Sequence, residues 1–332
     1  MVARKFDESD VRIRPSRSTR PRSKDRPSHS DAINALVTTV DRGRTTCITV
    51  DGTIVIAMKS RELGPKSVVV GDQVGIVGDT SGAAGSLARI VTVQERKNSL
   101  SRTVDDVAKV ERIIVANIDQ LIIVVAATNP EPRRGLIDRF LVSAFHEGIT
   151  PIILVTKIDL GEPPTFLNEY RNLNVQVLMT QKGGDLSQLR EILHGKTSVL
   201  VGHSGVGKST LINALVPHAE RVIGKVNEVT GRGRHTSSSA IALPLSMDLK
   251  LSDGWIIDTP GIRAFGLAHI DPNRIIASFT DLRDVVAQCM PNCSHSEAGC
   301  ALTQWAAPNG EIIPKRQARI ESLRSLLDIK LD

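Results

Sequence analysis

The chain has 332 residues, with 42 Lys+Arg against 36 Asp+Glu, a formal net charge of +6, 41% hydrophobic residues and only 3% aromatics. That apolar fraction excludes wholesale disorder, and the length predicts two or three domains, because single cores stop growing near about 250–300 residues. The longest strongly apolar run, Leu121–Ala127, is far short of the roughly 18–20 residues that span a bilayer, the charged N-terminus has no apolar signal segment, and four cysteines do not make a disulfide scaffold. A soluble, cytoplasmic, multidomain protein with no membrane association is expected.

The charge is uneven. Residues 1–30 hold nine Lys/Arg against four acids, which is five of the six net charges. From Arg14 to Ser30 the composition is mostly Arg, Pro, Ser and Thr, with no large aliphatic side chain. Such a stretch buries too little to offset its chain entropy, so residues 1–32 are expected to be a disordered basic arm. It serves either as a polyanion-binding arm or as a solubilising tail.

Short Val/Ile/Thr-rich segments follow: Ala35–Val40, Thr45–Val50, Thr53–Met58, Val68–Val77 and Leu87–Val93, separated by turn residues such as Asp51-Gly52 and Gly71-Asp72. Five strands over residues 33–100 suit a small barrel of OB type, or another small barrel with a structural role. The segment has no Phe, Trp or Tyr. It lacks the stacking platforms that single strands need, so any nucleic-acid contact should run through phosphates and the shape of folded RNA. The polar stretch Glu95–Asp106 reads as a linker.

Beyond it the grammar changes. Apolar strand-like runs (Leu121–Ala127, Pro151–Val155, Val175–Met179, Ser198–Val201, Gly254–Ile257) alternate with helix-like stretches (Gly135–Glu147, Leu186–Leu193, Ser209–Leu215). Alternation of this kind predicts a parallel sheet with helices on both faces, over residues 101–268. The first such strand to end in a motif leads into Thr156-Lys157-Ile158-Asp159. There a carboxylate at Asp159 can accept both the N1–H and the exocyclic amine of guanine, a donor pair adenine lacks, and the Lys157 stem can pack along the base. Alone, the same tetrapeptide also fits a solvated charged loop.

The second motif is stronger. Gly202-His203-Ser204-Gly205-Val206-Gly207-Lys208-Ser209-Thr210 fits G-x-x-x-x-G-K-[ST] between an apolar strand and a helix. Glycines let backbone N–H groups face a β-phosphate, and the helix N-terminus adds its dipole. Lys208 brings positive charge to the β/γ-phosphates, and the Ser209 hydroxyl is a Mg²⁺ ligand. The third motif, Asp258-Thr259-Pro260-Gly261, follows the strand-like Trp255–Ile257. Asp258 is placed to hold Mg²⁺ through water, and the Gly261 N–H to meet the γ-phosphate. Together the three form a GTPase signature, but the guanine-reading motif precedes the phosphate loop. That order is a circular permutation, which is tolerated because chain ends of a compact domain lie at its surface.

Three of the four cysteines crowd into Cys289-x3-Cys293-Ser294-His295-x4-Cys300. Three thiolates and one imidazole complete a closed tetrahedral zinc site, so a structural zinc is expected in a helical module spanning residues 269–332, whose last helix runs over Lys315–Asp328. Cys47, in the barrel, reads as a small buried apolar residue.

Barrel, permuted GTPase and zinc module in this order resemble the RsgA/YjeQ family of circularly permuted GTPases, over residues 33–332. The resemblance implies a barrel that contacts ribosomal RNA, and GTP hydrolysis stimulated by the small ribosomal subunit late in its assembly. The family's switch segment resembles Gly231-Arg232-Gly233-Arg234-His235-Thr236, which makes Thr236 the candidate Mg²⁺/γ-phosphate ligand, with Ser237 as an alternative. Thr180-Gln181-Lys182 matches the family's last guanine contact loosely, and Thr156 stands where Asn is commonest. Ile262 follows D-T-P-G where many GTPases place a water-orienting Gln, so hydrolysis needs help from another group. His235 is the candidate catalytic residue beside Lys208 and Thr236; an exposed loop histidine is its bland alternative. Only 28 positions separate Gly261 from Cys289, so nucleotide state is expected to reposition residues 269–332. A P-loop ATPase, or an RNA-binding scaffold with GTP as a structural ligand, are the competing readings. A monomer is expected.

Overall fold

The computed structural model describes residues 29–41, 43–64, 68–105, 110–218, 240–246, 249, 253–259, 270–297 and 299–328. The basic arm lies almost entirely outside these residues, as do Gly231–Ser237 and Pro260–Ile262. All that follows concerns the unit beginning at Asp31.

Five strands build the barrel: β1 (Ile33–Asp41), β2 (Arg44–Thr49), β3 (Ile54–Lys59), β4 (Gln73–Gly78) and β5 (Ala88–Val93). Neighbours run β1-β2-β3-β5-β4, and β4 closes back on β1; only β3–β5 is parallel. Ala35, Val37, Cys47, Val55, Val74, Ile76 and Ile90 fill the interior at 0% exposure. Burial pushes the Cys47 thiol up to about 12, the behaviour of a small apolar filler. Val68–Val77, read as one strand, is broken at Gly71-Asp72. A Cβ on Gly71 would sit 2.1 Å from the Ala116 carbonyl oxygen. Asp72 is fully buried and is held bidentately by Arg96 at 2.7 and 2.9 Å.

The linker expectation for Glu95–Asp106 is corrected. Ser99–Asp105 is strand β6, paired antiparallel with β7 (Val110–Ala116). Leu100, 2% exposed, anchors a largely polar strand, a signal that is easily missed.

The second half of the large sheet has the order β10 (Gln176–Met179), β9 (Thr150–Thr156), β8 (Gln120–Ala126), β11 (Thr197–Val201), β13 (Trp255–Asp258), β12 (Ile241–Pro244). Five are parallel, and β12 runs antiparallel to β13. Continuous apolar sequence in β8 is explained by burial on both faces. Leu121, Ile123 and Val125 face α1 (Arg134–His146), while Ile122, Val124 and Ala126 face α2 (Ser187–Leu193) and α3 (Lys208–Leu215). β12 also pairs with β1 at Thr39–Ile241, so barrel and GTPase strands share one sheet.

The C-terminal helices α4 (Pro272–Ser278), α5 (Arg283–Val286), α6 (Ala301–Ala306) and α7 (Pro314–Asp328) enclose Ile275, Phe279, Leu282, Leu302, Ile320 and Leu323. Val142 of α1 joins that core. Beside it lies a buried ionic network. Asp138 of α1, 1% exposed, accepts hydrogen bonds from Tyr170 Oη (2.9 Å), Arg319 (2.8 Å) and the Ser322 hydroxyl. Arg319 also grips Asp281 bidentately and stacks over Phe279 at 4.3 Å. Among the described residues no helix is long and apolar enough to cross a membrane.

Candidate functional site

Parallel strands bring their carboxyl ends to one edge, where α/β sheets bind ligands. Here Ala126 pairs with Thr156, Ile123 with Val201, and Leu200 with Asp258. Three motifs far apart in sequence therefore open on the same rim.

The phosphate loop leaves β11 through Gly202. Its φ is +145°, and a Cβ would meet the Val124 carbonyl oxygen at 2.2 Å, so only glycine fits against β8. His203, Ser204 and Gly205 are exposed, and Val206 is buried. Gly207, in the left-handed region at φ +97°, starts α3, whose first turn carries Lys208, Ser209 and Thr210. Lys208 Nζ donates to the carbonyls of Gly202 (2.7 Å) and His203 (2.9 Å), arching over the loop it would serve. Burial lowers the Lys208 pKa, opposed by Asp258; burial raises that of Asp258, opposed by Lys208. The two are complementary charges held near an otherwise costly interior.

Thr156 ends β9 and is 6% exposed. Its hydroxyl lies 2.6 Å from the Val206 carbonyl and 3.2 Å from that of Val125. The segment 156–159 is thereby fastened to the loop between β11 and α3, a contact that the sequence alone does not display. Lys157, with φ +59°, turns the chain and donates from Nζ to Asn129 O at 2.6 Å. Ile158 is half-buried and Asp159 is exposed on the rim. Thr180 comes alongside, its N–H donating to Val155 O at 2.8 Å. Thr259, 2% exposed, donates to Leu200 O at 3.1 Å and fastens the end of β13 to the phosphate-loop strand. The sequence signal for it was its place inside D-T-P-G. Of the expected site residues, Thr156, Lys157, Ile158, Asp159, Gly202–Thr210 and Asp258 meet at this edge, whereas Gly261, His235, Thr236, Ser237 and Ile262 lie outside the described residues.

Cys289, Cys293, His295 and Cys300 place their ligand atoms within 4.8 Å of one another. Cys289 Sγ is 3.6 Å from His295 Nδ1 and 3.8 Å from Cys300 Sγ, and Cys300 Sγ is 4.0 Å from that nitrogen. A tetrahedral ion with metal–sulfur bonds of about 2.3 Å and metal–nitrogen bonds of about 2.0 Å needs edges of roughly 3.5–3.8 Å, close to the three distances among Cys289, His295 and Cys300, so these residues are placed to hold a metal. The Glu297 carboxylate beside the Cys293 thiol, at 2.9 Å, raises it to about 12.

The RsgA GTPase family model matches residues 93–268. The small ribosomal subunit biogenesis GTPase RsgA of Pseudomonas aeruginosa is 37% identical over 262 residues, covering 76% of this chain and 74% of the relative. The protein of that name from Chlorobaculum parvum is 36% identical over 304 residues, covering 88% and 93%. Among solved structures, YjeQ from Thermotoga maritima superposes with a TM-score of 0.62 at 27% identity, over 90% of this chain and 98% of that one. YloQ, described as a circularly permuted GTPase, shares the fold with a TM-score of 0.62 at 23% identity, over 92% and 98%. Matched by the family model over more than half its length and by relatives of 36–37% identity covered to 74% and 93%, this chain belongs to the RsgA GTPase family.

Proposed function

We propose that this GTPase binds GTP at the carboxyl edge of β8, β9, β11 and β13, and hydrolyses it to GDP and phosphate when the small ribosomal subunit stimulates it, late in that subunit's assembly. The observation that carries the reading is the Thr156–Val206 tether, which joins a guanine-reading loop to a phosphate loop across 50 residues of sequence.

In this reading Asp159 accepts from guanine and Lys157 packs along the base. Gly202, His203, Ser204, Gly205, Val206 and Gly207 wrap the β-phosphate with backbone N–H groups, and Thr210 completes the first helical turn. Lys208 gives up its carbonyl partners for the β/γ-phosphates. Ser209 and Thr236 would hold Mg²⁺, which neutralises charge developing between the β- and γ-phosphates, and Asp258 would reach it through water. Gly261 meets the γ-phosphate. His235 orients the attacking water, since Ile262 has no hydrogen bond to offer it. Cys289, Cys293, His295 and Cys300 would hold one structural zinc ion, favoured by a soft three-sulfur donor set with no open position.

The functional division is an arm (1–32), an RNA-contacting barrel (33–100), a GTPase domain (101–268) and a zinc module (269–332), acting as a cytoplasmic monomer. Support for the ribosomal RNA partner comes from the relatives' names and from the barrel's outer face. There Arg44, Met58 and Arg89 stand directly opposite one another on β2, β3 and β5, all exposed, a basic row without aromatics. Helix α1 suits a coupling role. Leu136 and Ile137 border a cavity shared with Gly202 and Val206, and Asp138 binds Arg319 of the zinc module.

The test is GTP turnover with and without isolated small subunits. Stimulation is expected. Equal turnover, or ATP competing as well as GTP, would overturn the reading. His235→Ala with full stimulated turnover would remove His235 from its role.

A further inference from the structure

A cleft of about 600 Å³, part of it open to solvent, lies between Arg134 of α1 and the segment 169–173 on one side and the zinc module on the other. Arg134, Lys315, Arg316, Arg319, Glu169 and Asp281 line it, with the Trp305 indole as one wall. It is separate from the nucleotide edge, and no motif in the sequence accounts for it.

Two of the four cations are committed to the fold. Arg319 is consumed by Asp138 and Asp281, and Arg134 gives one guanidinium nitrogen to Glu169 at 2.9 Å. The other two are not. Lys315, with 75% of its side chain exposed, reaches Glu169 only at 4.0 Å, and that carboxylate oxygen has no hydrogen-bond donor. Arg316 has no carboxylate partner among the described residues. It stacks 4.9 Å over Trp305 and donates one N–H to the Trp305 carbonyl at 3.0 Å, and its remaining donors have no partner among the described residues.

Their placement works against the helices that carry them. Arg134 is the first residue of the 13-residue α1, and Lys315 and Arg316 are the second and third of the 15-residue α7. Neither first turn holds an acid. Helix N-termini favour anions and disfavour cations. Two such ends, each loaded with the wrong sign, converge on one cavity. An anion settling there would relieve both.

We infer that this cleft binds phosphate groups of the RNA backbone, with Lys315 and Arg316 as the contacting residues and Arg134 in support. Planar guanidinium forks suit phosphate oxygens, and a solvent-open cleft suits a continuous chain. The inference rests on the ribosomal RNA reading above but names a site that reading does not use. The barrel and this cleft would then hold the RNA at two separated places.

The test measures the binding of protein-free small-subunit RNA to the full chain across a salt series. Lys315→Ala/Arg316→Ala should flatten the plot of log affinity against log salt by about 2, near 1 per lost phosphate contact. Lys315→Glu alone, at an exposed position, should flatten it by about 1. Lys315→Arg/Arg316→Lys should restore the wild-type slope, and basal GTP turnover should stay unchanged in all three. Inorganic phosphate at constant ionic strength distinguishes the source: competition in the micromolar range would assign the cleft to a free anion and overturn the RNA assignment. Unchanged slopes in both charge-removing variants would overturn the inference while leaving the barrel reading intact. Loss of subunit binding with RNA binding unaffected would assign the cleft to a ribosomal protein and overturn it as well. A wild-type chain that binds no RNA would overturn both readings together.

Discussion

Thr156→Val tests how the two halves of the nucleotide site are joined. The substitution keeps the side-chain volume and replaces the hydroxyl with a methyl. The hydroxyl oxygen lies 2.6 Å from the Val206 carbonyl oxygen. A carbon approaches a carbonyl oxygen no closer than about 3.3 Å, so the phosphate loop must retreat by roughly 0.7 Å. Val206 also loses a hydrogen-bond donor in a buried setting, a loss of about 1–3 kcal/mol. At about 1.4 kcal/mol per factor of ten, GTP affinity should fall roughly 5- to 150-fold. Titration with a fluorescent GTP analogue measures it, beside thermal unfolding without nucleotide to exclude a collapsed fold. Thr156→Ser keeps the hydroxyl and should stay within about threefold of wild type. A folded valine variant that binds within twofold of wild type would refute the reasoning.

Three further outcomes follow from contacts elsewhere. Gly202→Ala drives a Cβ to 2.2 Å from the Val124 carbonyl at a backbone angle reserved for glycine; it should abolish GTP binding and lower the melting temperature, with strain alone of about 1–3 kcal/mol, and wild-type melting would contradict it. Arg319→Ala removes the cation that faces the carboxylate of Asp138, which is 1% exposed and keeps its hydroxyl partners Tyr170 and Ser322; urea unfolding should show a loss of about 3–5 kcal/mol, and a loss below about 1 kcal/mol would mean the network carries little. Removing bound metal with a chelator should raise hydrogen exchange through residues 270–328, where Cys289, Cys293 and Cys300 pack against the helical core, and leave exchange in β8, β9 and β11 unchanged. Uniform exchange before and after chelation would deny the cluster a structural role.

Much of the fold was legible because burial on two faces leaves a plain trace. β8, β9, β11 and β13 appear as unbroken apolar runs, and α1, α2 and α3 follow the helical spacing between them. The phosphate loop was legible because Gly202 and Gly207 are required by local backbone conformation, and the metal cluster because its ligands lie close together in sequence. Other parts leave no such trace. β6 is polar, and β12 is four residues long and paired on one side by the distant β1. The break at Gly71-Asp72 depends on Ala116 and Arg96, which no local pattern reveals. Thr156 looked like a departure from the commoner Asn; its hydroxyl performs a tether that only the fold displays. Asp138 and Arg319 are 181 residues apart, and the cleft between Arg134 and Lys315 exists only once the zinc module is seated on α1.

The central claim is that a permuted order of motifs builds a single guanine-nucleotide site, with the base read by Asp159. Asp159→Asn tests it most directly, in competition assays with GTP, ATP and XTP. A carboxylate accepts from the N1–H and the 2-amino group of guanine; an asparagine amide instead offers a donor to the 2-carbonyl of xanthine. The account predicts that wild type prefers GTP and that Asp159→Asn loses GTP and gains XTP, with ATP bound weakly by both. An Asp159→Asn variant that still prefers GTP as the wild type does would contradict it.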